Sequence, residues 1–213
     1  MGAVCGGSLI TDRHVLTAAH CITGNPIAST RHWDKRLKKF LLKYPWYIRV
    51  SIGDHHLKDD KFKYVTVSNI TLHPELYDVA IFTLSQRILQ FNKKISPICL
   101  PDNDGSKDYS SETAQVTGWG VNVNNFKEPN PYESPASLDY FEETASLVNE
   151  LQVANVTIIS DGTCDELARG QGKERFEEEV CTLGQGSTCQ GDSGGPLFLR
   201  ESHQTQRNKK EMR

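Results

Sequence analysis

Gly191-Asp192-Ser193-Gly194-Gly195-Pro196 sets one serine between glycines, a word that lets bare backbone N–H groups point at a substrate oxygen. Such a stretch is the core of an acyl-transfer site. A serine hydroxyl is a poor nucleophile near neutral pH, so the word carries chemistry only if a base and an orienting acid lie elsewhere in the chain. Read in isolation, Ser193 would be an ordinary structural turn.

Both partners are found upstream. Cys5-Gly6-Gly7-Ser8-Leu9-Ile10 and Val15-Leu16-Thr17-Ala18-Ala19-His20-Cys21 are apolar, strand-like runs separated by a polar turn at Thr11-Asp12-Arg13, with His20 just past the second run. The small Ala18 and Ala19 permit close approach of neighbouring backbone. Asp78 leads the buried strand pattern Val79-Ala80-Ile81-Phe82, where a carboxylate can hold a histidine in the required tautomer. The order His20, Asp78, Ser193, with the words around each, resembles the trypsin-like (chymotrypsin-fold) serine proteases. The resemblance runs from Cys5 to about Leu199. It takes in Ile98-Cys99-Leu100-Pro101, Val116-Thr117-Gly118-Trp119-Gly120 and Cys189-Gln190-Gly191 as well.

The resemblance implies a serine endopeptidase that works through an acyl-enzyme intermediate. Ser193 is then the nucleophile, His20 the general base and later acid, and Asp78 the residue that orients His20. The N–H groups of Gly191 and Ser193 form the oxyanion hole. Asp192 stands where active relatives receive the new amino terminus released by activation cleavage. Ser187 lies six residues before the nucleophile, where relatives that cut after Lys or Arg carry an acid; a neutral residue there implies a chymotrypsin-like preference for large apolar or aromatic side chains. The competing reading is a catalytically inactive homologue that binds proteins through the same fold.

The implied fold is all-β, with two antiparallel six-stranded-type barrels and the active site between them. The protease domain spans residues 1–199, its first barrel ending near residue 100 and its second starting near 101. Residues 200–213 form a polar tail expected to be disordered. Short strands separated by turns are expected at Trp46 to Gly53, Tyr64 to Leu72, Val79 to Leu84, Ala114 to Trp119, Leu151 to Ser160 and Pro196 to Leu199. Only Met1 to Val4 precede Cys5, and the family's strands and pocket words beyond Leu199 have no counterpart, so the barrels are expected to be incomplete at their N- and C-terminal strands.

Two segments are longer than the family pattern. In Gly24 to Tyr44, the residues Trp33, Leu37, Phe40, Leu41 and Tyr44 recur at near-helical spacing among basic residues and predict an amphipathic helix. Val121 to Asn149 is rich in Asn, Pro, Glu and Ser and reads as a long loop with a short helix around Leu138 to Val148.

The chain of 213 residues carries 24 basic and 27 acidic side chains, a formal charge of −3 that gives no electrostatic case for nucleic acid. No stretch is apolar long enough to span a bilayer. Expected partners are protein or peptide substrates and, from the resemblance, protein inhibitors; no cofactor and no metal are called for. His14 reads as a strand residue, and His55-His56 beside Asp54, Asp59 and Asp60 as a solvated turn that lacks a calcium cage. Six cysteines suit an oxidising compartment. The resemblance implies the pairs Cys5–Cys21 and Cys164–Cys181 and leaves Cys99 and Cys189 unpaired. The sequons Asn69-Ile70-Thr71 and Asn155-Val156-Thr157 are candidate glycosylation sites. The Met1-Gly2-Ala3-Val4 start shows no signal peptide, so secretion is expected of a full-length form.

Overall fold

A computed structural model of the protein describes residues 4–23, 31–34, 39–42, 47–57, 64–73, 78–101, 107–121, 147–176, 179–184 and 186–200. Its strands begin where the turn chemistry demands them. Strands β1 (Ser8–Leu9) and β2 (His14–Thr17) flank the Thr11-Asp12-Arg13 turn, where Thr11 Oγ1 accepts from the N–H groups of Arg13 and His14, each at 3.0 Å. Just beyond β2 comes a single helical turn, α1 (His20–Thr23).

Where the stretch Gly24 to Tyr44 is described, at residues 31–34 and 39–42, it forms strands and not the expected amphipathic helix. Strands β3 (Arg31–Asp34) and β4 (Lys39–Leu42) pair antiparallel, with Trp33 in register with Phe40 and His32 with Leu41. Short helices are marginal in water without tertiary support, and aromatic and large apolar residues favour a pleated surface. The near-helical spacing was therefore the weaker signal.

Strands β5 (Arg49–Ser51), β6 (Tyr64–Leu72) and β7 (Ala80–Leu84) join the first two in a five-stranded antiparallel sheet of order β1-β2-β7-β6-β5. Ala80, Phe82 and Leu84 alternate into its core. Along β6 the buried positions are Val65 and Val67, then Ile70, because a bulge between Val67 and Asn69 shifts the phase of the strand by one residue. Together with Val15 and Ile22, these residues make one cluster, with Leu9, Ile48, Val50 and Leu72 packed around it.

The second sheet comprises β8 (Thr113–Gly118), β9 (Gln152–Ile158), β10 (Thr182–Gly184) and β11 (Leu197–Phe198), in the order β10-β9-β8-β11, again antiparallel. Its buried cluster is small: Ala114, Val156 and Ile158, with Tyr109, Val116 and Leu199 alongside. Helix α2 (Asp161–Gly170) follows β9 and was not anticipated. Ser160 caps it by accepting from the Thr163 N–H at 3.3 Å, while Asp161 in its first turn and Arg169 in its last interact favourably with the helix dipole. Cys164 is the buried residue of α2 and is bonded to Cys181. The guanidinium of Arg175, with only 9% of its side chain exposed, spans Asp161 at 2.6 Å and Asp165 at 2.9 Å and donates to the Glu179 carbonyl at 3.0 Å, fastening the loop after α2 to the helix.

The structure is mostly β, built on two antiparallel sheets, as the sequence implied. It divides into two compact units. One holds Met1–Pro101, Gly118–Gln152 and Thr188–Pro196; the other holds Asp102–Thr117, Val153–Ser187 and Leu197–Arg213. Asp59, Asp60, residues 74–77, the tail beyond Arg200 and nearly all of the helix expected around Leu138 to Val148 lie outside the described residues. Leu147, at the end of that last segment, forms a bridge with Val121. Among the described residues, no helix is long and apolar enough to cross a membrane.

Candidate active site

His20, Asp78, Gly191, Asp192 and Ser193 all belong to the first unit. The pairing of β2 with β7 ends at Thr17 opposite Ala80. Continued two residues, that register sets Asp78 across from Ala19 and beside His20. The carboxylate closes on the histidine from two directions: Asp78 Oδ2 lies 2.6 Å from His20 Nδ1, and Asp78 Oδ1 accepts from the His20 backbone N–H at 2.7 Å. Both side chains are about half exposed, at 53% and 57%.

Partial burial pushes the Asp78 carboxyl up. Hydrogen bonds from the His20 ring and N–H, the attraction of the imidazole and the Ala19 N–H together outweigh it, so the acid is held below the usual carboxylate value. It is thus ionised over the neutral range and accepts from Nδ1–H, which leaves Nε2 as the bare, basic nitrogen.

The loop carrying Ser193 is locked to the histidine segment by glycines. The Gly6 N–H donates to the Ser193 carbonyl at 2.8 Å, and Thr17 Oγ1 donates to the Gly6 carbonyl at 2.8 Å. Gly194 has φ = 79°; a Cβ there would overlap Thr17 Oγ1 and come within 2.8 Å of both the Ala18 nitrogen and the Gly6 oxygen. The Cys5–Cys21 disulfide closes the same region, with Cys21 Sγ 3.7 Å from the Ser193 carbonyl oxygen. No hydrogen bond joins Ser193 Oγ to His20 among the described residues; such contacts often tighten only when substrate is bound.

Asp192 organises the other side of the loop. Its Oδ1 accepts from the Gly120 N–H at 2.7 Å and its Oδ2 from the Cys189 N–H at 2.9 Å, while its carbonyl accepts from Gly195 at 2.9 Å. The carboxylate fills the space beside Gly118 and Gly120, where any Cβ would collide with it. Gly191 takes φ = 100°, a conformation that favours glycine. The result is a tight turn in which neither the Gly191 nor the Ser193 N–H donates a hydrogen bond among the described residues. Two such donors on one turn can receive a developing negative charge. The supporting roles of Gly6, Thr17, Gly118 and Gly120 were visible in the sequence only as parts of recurring words. Their physical reason is close backbone approach, which no spacing rule reveals.

Among the remaining candidates, Ser187 is exposed in the second unit. Asn69 lies on β6 with its Nδ2 toward Thr71 Oγ1 at 3.4 Å, and Asn155 is exposed on β9, accepting from Gln115 Nε2 at 2.8 Å. Cys99 is exposed and Cys189 half-buried, both as free thiols. His55 pairs with Glu150 at 3.2 Å and meets His56 edge to face.

Known proteins resemble this chain in sequence and in fold. The family model described as Trypsin matches residues 2–206. Venom serine protease Bi-VSP of Bombus ignitus is 30% identical over 92% of this chain and 48% of its own length. Glucanase inhibitor protein 3 of Phytophthora sojae is 31% identical over 91% of this chain and 61% of its own. The chain thus spans about half to three-fifths of these two relatives. Among solved structures, a scabies mite inactivated protease paralogue, S-D1, superimposes with a TM-score of 0.65 at 21% identity, over 93% of this chain and 72% of that one, and shares the fold. With a family model matched across nearly its whole length, the chain belongs to the trypsin family of serine proteases.

Proposed function

We propose that this chain is the catalytic part of a serine endopeptidase, with Ser193 as nucleophile, His20 as base and acid, and Asp78 as the group that orients the imidazole. The observation that carries this reading is the double grip of Asp78 on His20, at 2.6 Å to the ring and 2.7 Å to the backbone. It fixes the tautomer in which Nε2 can take a proton from a serine hydroxyl. The Ser193 oxygen then attacks the scissile carbonyl, whose oxygen develops charge toward the Gly191 and Ser193 N–H groups. His20 passes the proton to the leaving amine, and water repeats the sequence on the acyl-enzyme.

Asp192 holds the turn that presents those two donors and is the acid on which activation by a newly released amino terminus would act. Ser187, a neutral residue six positions before Ser193, favours large apolar or aromatic residues on the acyl side of the cleaved bond. The protease domain covers residues 1–199, with one barrel on either side of residue 100. The expected partners are protein substrates and protein inhibitors, and the setting is extracellular, which suits the two disulfides and makes Asn69 and Asn155 candidates for glycosylation.

Cleavage of a mixed peptide library by the purified chain tests this directly. New amino termini should follow Phe, Tyr, Leu or Trp, and Ser193→Ala should abolish their appearance. Cleavage after Lys and Arg would overturn the pocket assignment. A second reading, a protein-binding module without turnover, is favoured by the relative named as a glucanase inhibitor; saturable binding of protein partners with no peptide products would select it.

A further inference from the structure

Past β7 the chain runs between two anchored isoleucines. Ile88 packs against the first core cluster, and its N–H donates to the Asp12 carbonyl at 2.8 Å. Ile95 is half-buried against Gly53, where an added Cβ would come within 2.7 Å of Ile95 Cγ1. Between them Leu89-Gln90-Phe91-Asn92-Lys93-Lys94 is exposed at every position. The tip has a fixed shape. Asn92 and Ile95 exchange backbone hydrogen bonds at 2.9 and 3.2 Å, and Asn92 Oδ1 accepts from the Lys94 and Ile95 N–H groups at 2.8 and 3.1 Å. Arg87 ties the base of the loop to Asp12 at 2.9 Å.

This tip is both apolar and basic. Leu89 is 89% exposed, the most open of the large apolar side chains among the described residues, and Phe91 is 48% exposed. Lys93 and Lys94 pair with no carboxylate among the described residues. From Val79 to Pro101 the sequence has no acidic residue, although the whole chain carries a formal charge of −3. The acids near the base of the loop are already engaged, Asp12 by Arg87 and Asp54 by the Ser51 hydroxyl. We propose that the tip from Leu89 to Lys94 docks this protein on an anionic lipid bilayer, with Leu89 and Phe91 entering the boundary between headgroups and acyl chains while Lys93 and Lys94 stay among the lipid phosphates.

The composition of the tip selects a bilayer over a protein partner. A stable protein interface buries roughly 800 Å² on each side, and lysine is depleted from it. A six-residue projection with two lysines does not supply such a surface. A bilayer asks only for a narrow apolar wedge and adjacent positive charge, and long lysine side chains reach the headgroup level with their apolar stems below. The shape held by Asn92 means that little chain entropy is lost on insertion. Attachment through so small a wedge is shallow, reversible and weakened by salt.

Co-sedimentation of the folded chain with vesicles tests this, using mixed phosphatidylcholine and phosphatidylserine in one arm and phosphatidylcholine alone in the other. Binding is expected to the mixed vesicles, falling as salt is added, and much weaker to the neutral ones. Lys93→Gln and Lys94→Gln should each reduce partitioning about 5-fold. Leu89→Ser should reduce it about 10-fold, with its urea midpoint unchanged because the leucine is already open to water. Phe91→Trp should be quenched by brominated lipid more strongly than the parent protein, the sign that the tip enters the bilayer. Equal binding to both kinds of vesicle would overturn the proposal. So would binding that depends on the lysines but is indifferent to Leu89→Ser, which would be adsorption by charge alone. An absence of sedimentation with either vesicle would also overturn it and leave the tip to a protein partner.

Discussion

At the scale of single residues, the site rests on charge and on the absence of side chains. Asp78 titrates below its unfolded value, so its contribution to stability is fully present above about pH 4 and is lost as pH falls through the folded pKa. Asp78→Asn removes that dependence: urea melts of the variant should change less with pH below about 4 than those of the parent. With the side chains of Asp78 and His20 more than half exposed, the difference is small and shrinks with added salt. Gly194 makes a sharper case. Its φ of 79° and its contacts with Ala18 and Gly6 leave no room for a Cβ, so Gly194→Ala should lower stability by about 1 to 3 kcal/mol, read as a lower urea midpoint with unchanged slope. A neutral Gly194→Ala would mean that the serine loop is not locked to the Thr17 segment.

Among the elements, the disulfide from α2 to Cys181 anchors a helix that has little apolar surface to bury, Cys164 being its one buried residue. Replacing Cys164 and Cys181 by alanine should cost about 3 kcal/mol of stability, the size expected for a loop of this length, and thermal melting would measure it. Most of the strands were legible in the sequence, although β10 fell outside every expected run. β6 spans the predicted Tyr64 to Leu72, whereas its bulge between Val67 and Asn69 was not anticipated. β3 and β4 were misread as helix because Trp33, Phe40 and Leu41 satisfy either period over so short a run, and strand pairing is a non-local event. Helix α2 was missed for the opposite reason. Its face is mostly polar, and the Ser160 cap and the Arg175 clamp that secure it leave no hydrophobic stripe to read.

On the scale of the whole molecule, the two units differ in how much core they own. Eight buried residues make the first cluster and three the second, among those described. Amides of β9 and β10 should therefore exchange with deuterium faster than those of β2, β6 and β7, a difference that native-state exchange would resolve. Equal protection in both sheets would contradict it. The candidate residues His20, Asp78 and Ser193 all lie in the better-packed unit; they were named from the sequence words around them, whereas the glycine contacts that hold them depend on close backbone approach that no word displays. The most direct test is phosphonylation by a fluorophosphonate, followed by intact-mass and peptide mapping. A single adduct on Ser193 is expected, abolished by His20→Ala and slowed about 10⁴-fold by Asp78→Asn, the size that loss of the orienting acid has in a serine–histidine–aspartate arrangement. An adduct on another serine, or labelling of Ser193 that is indifferent to the loss of His20, would contradict it.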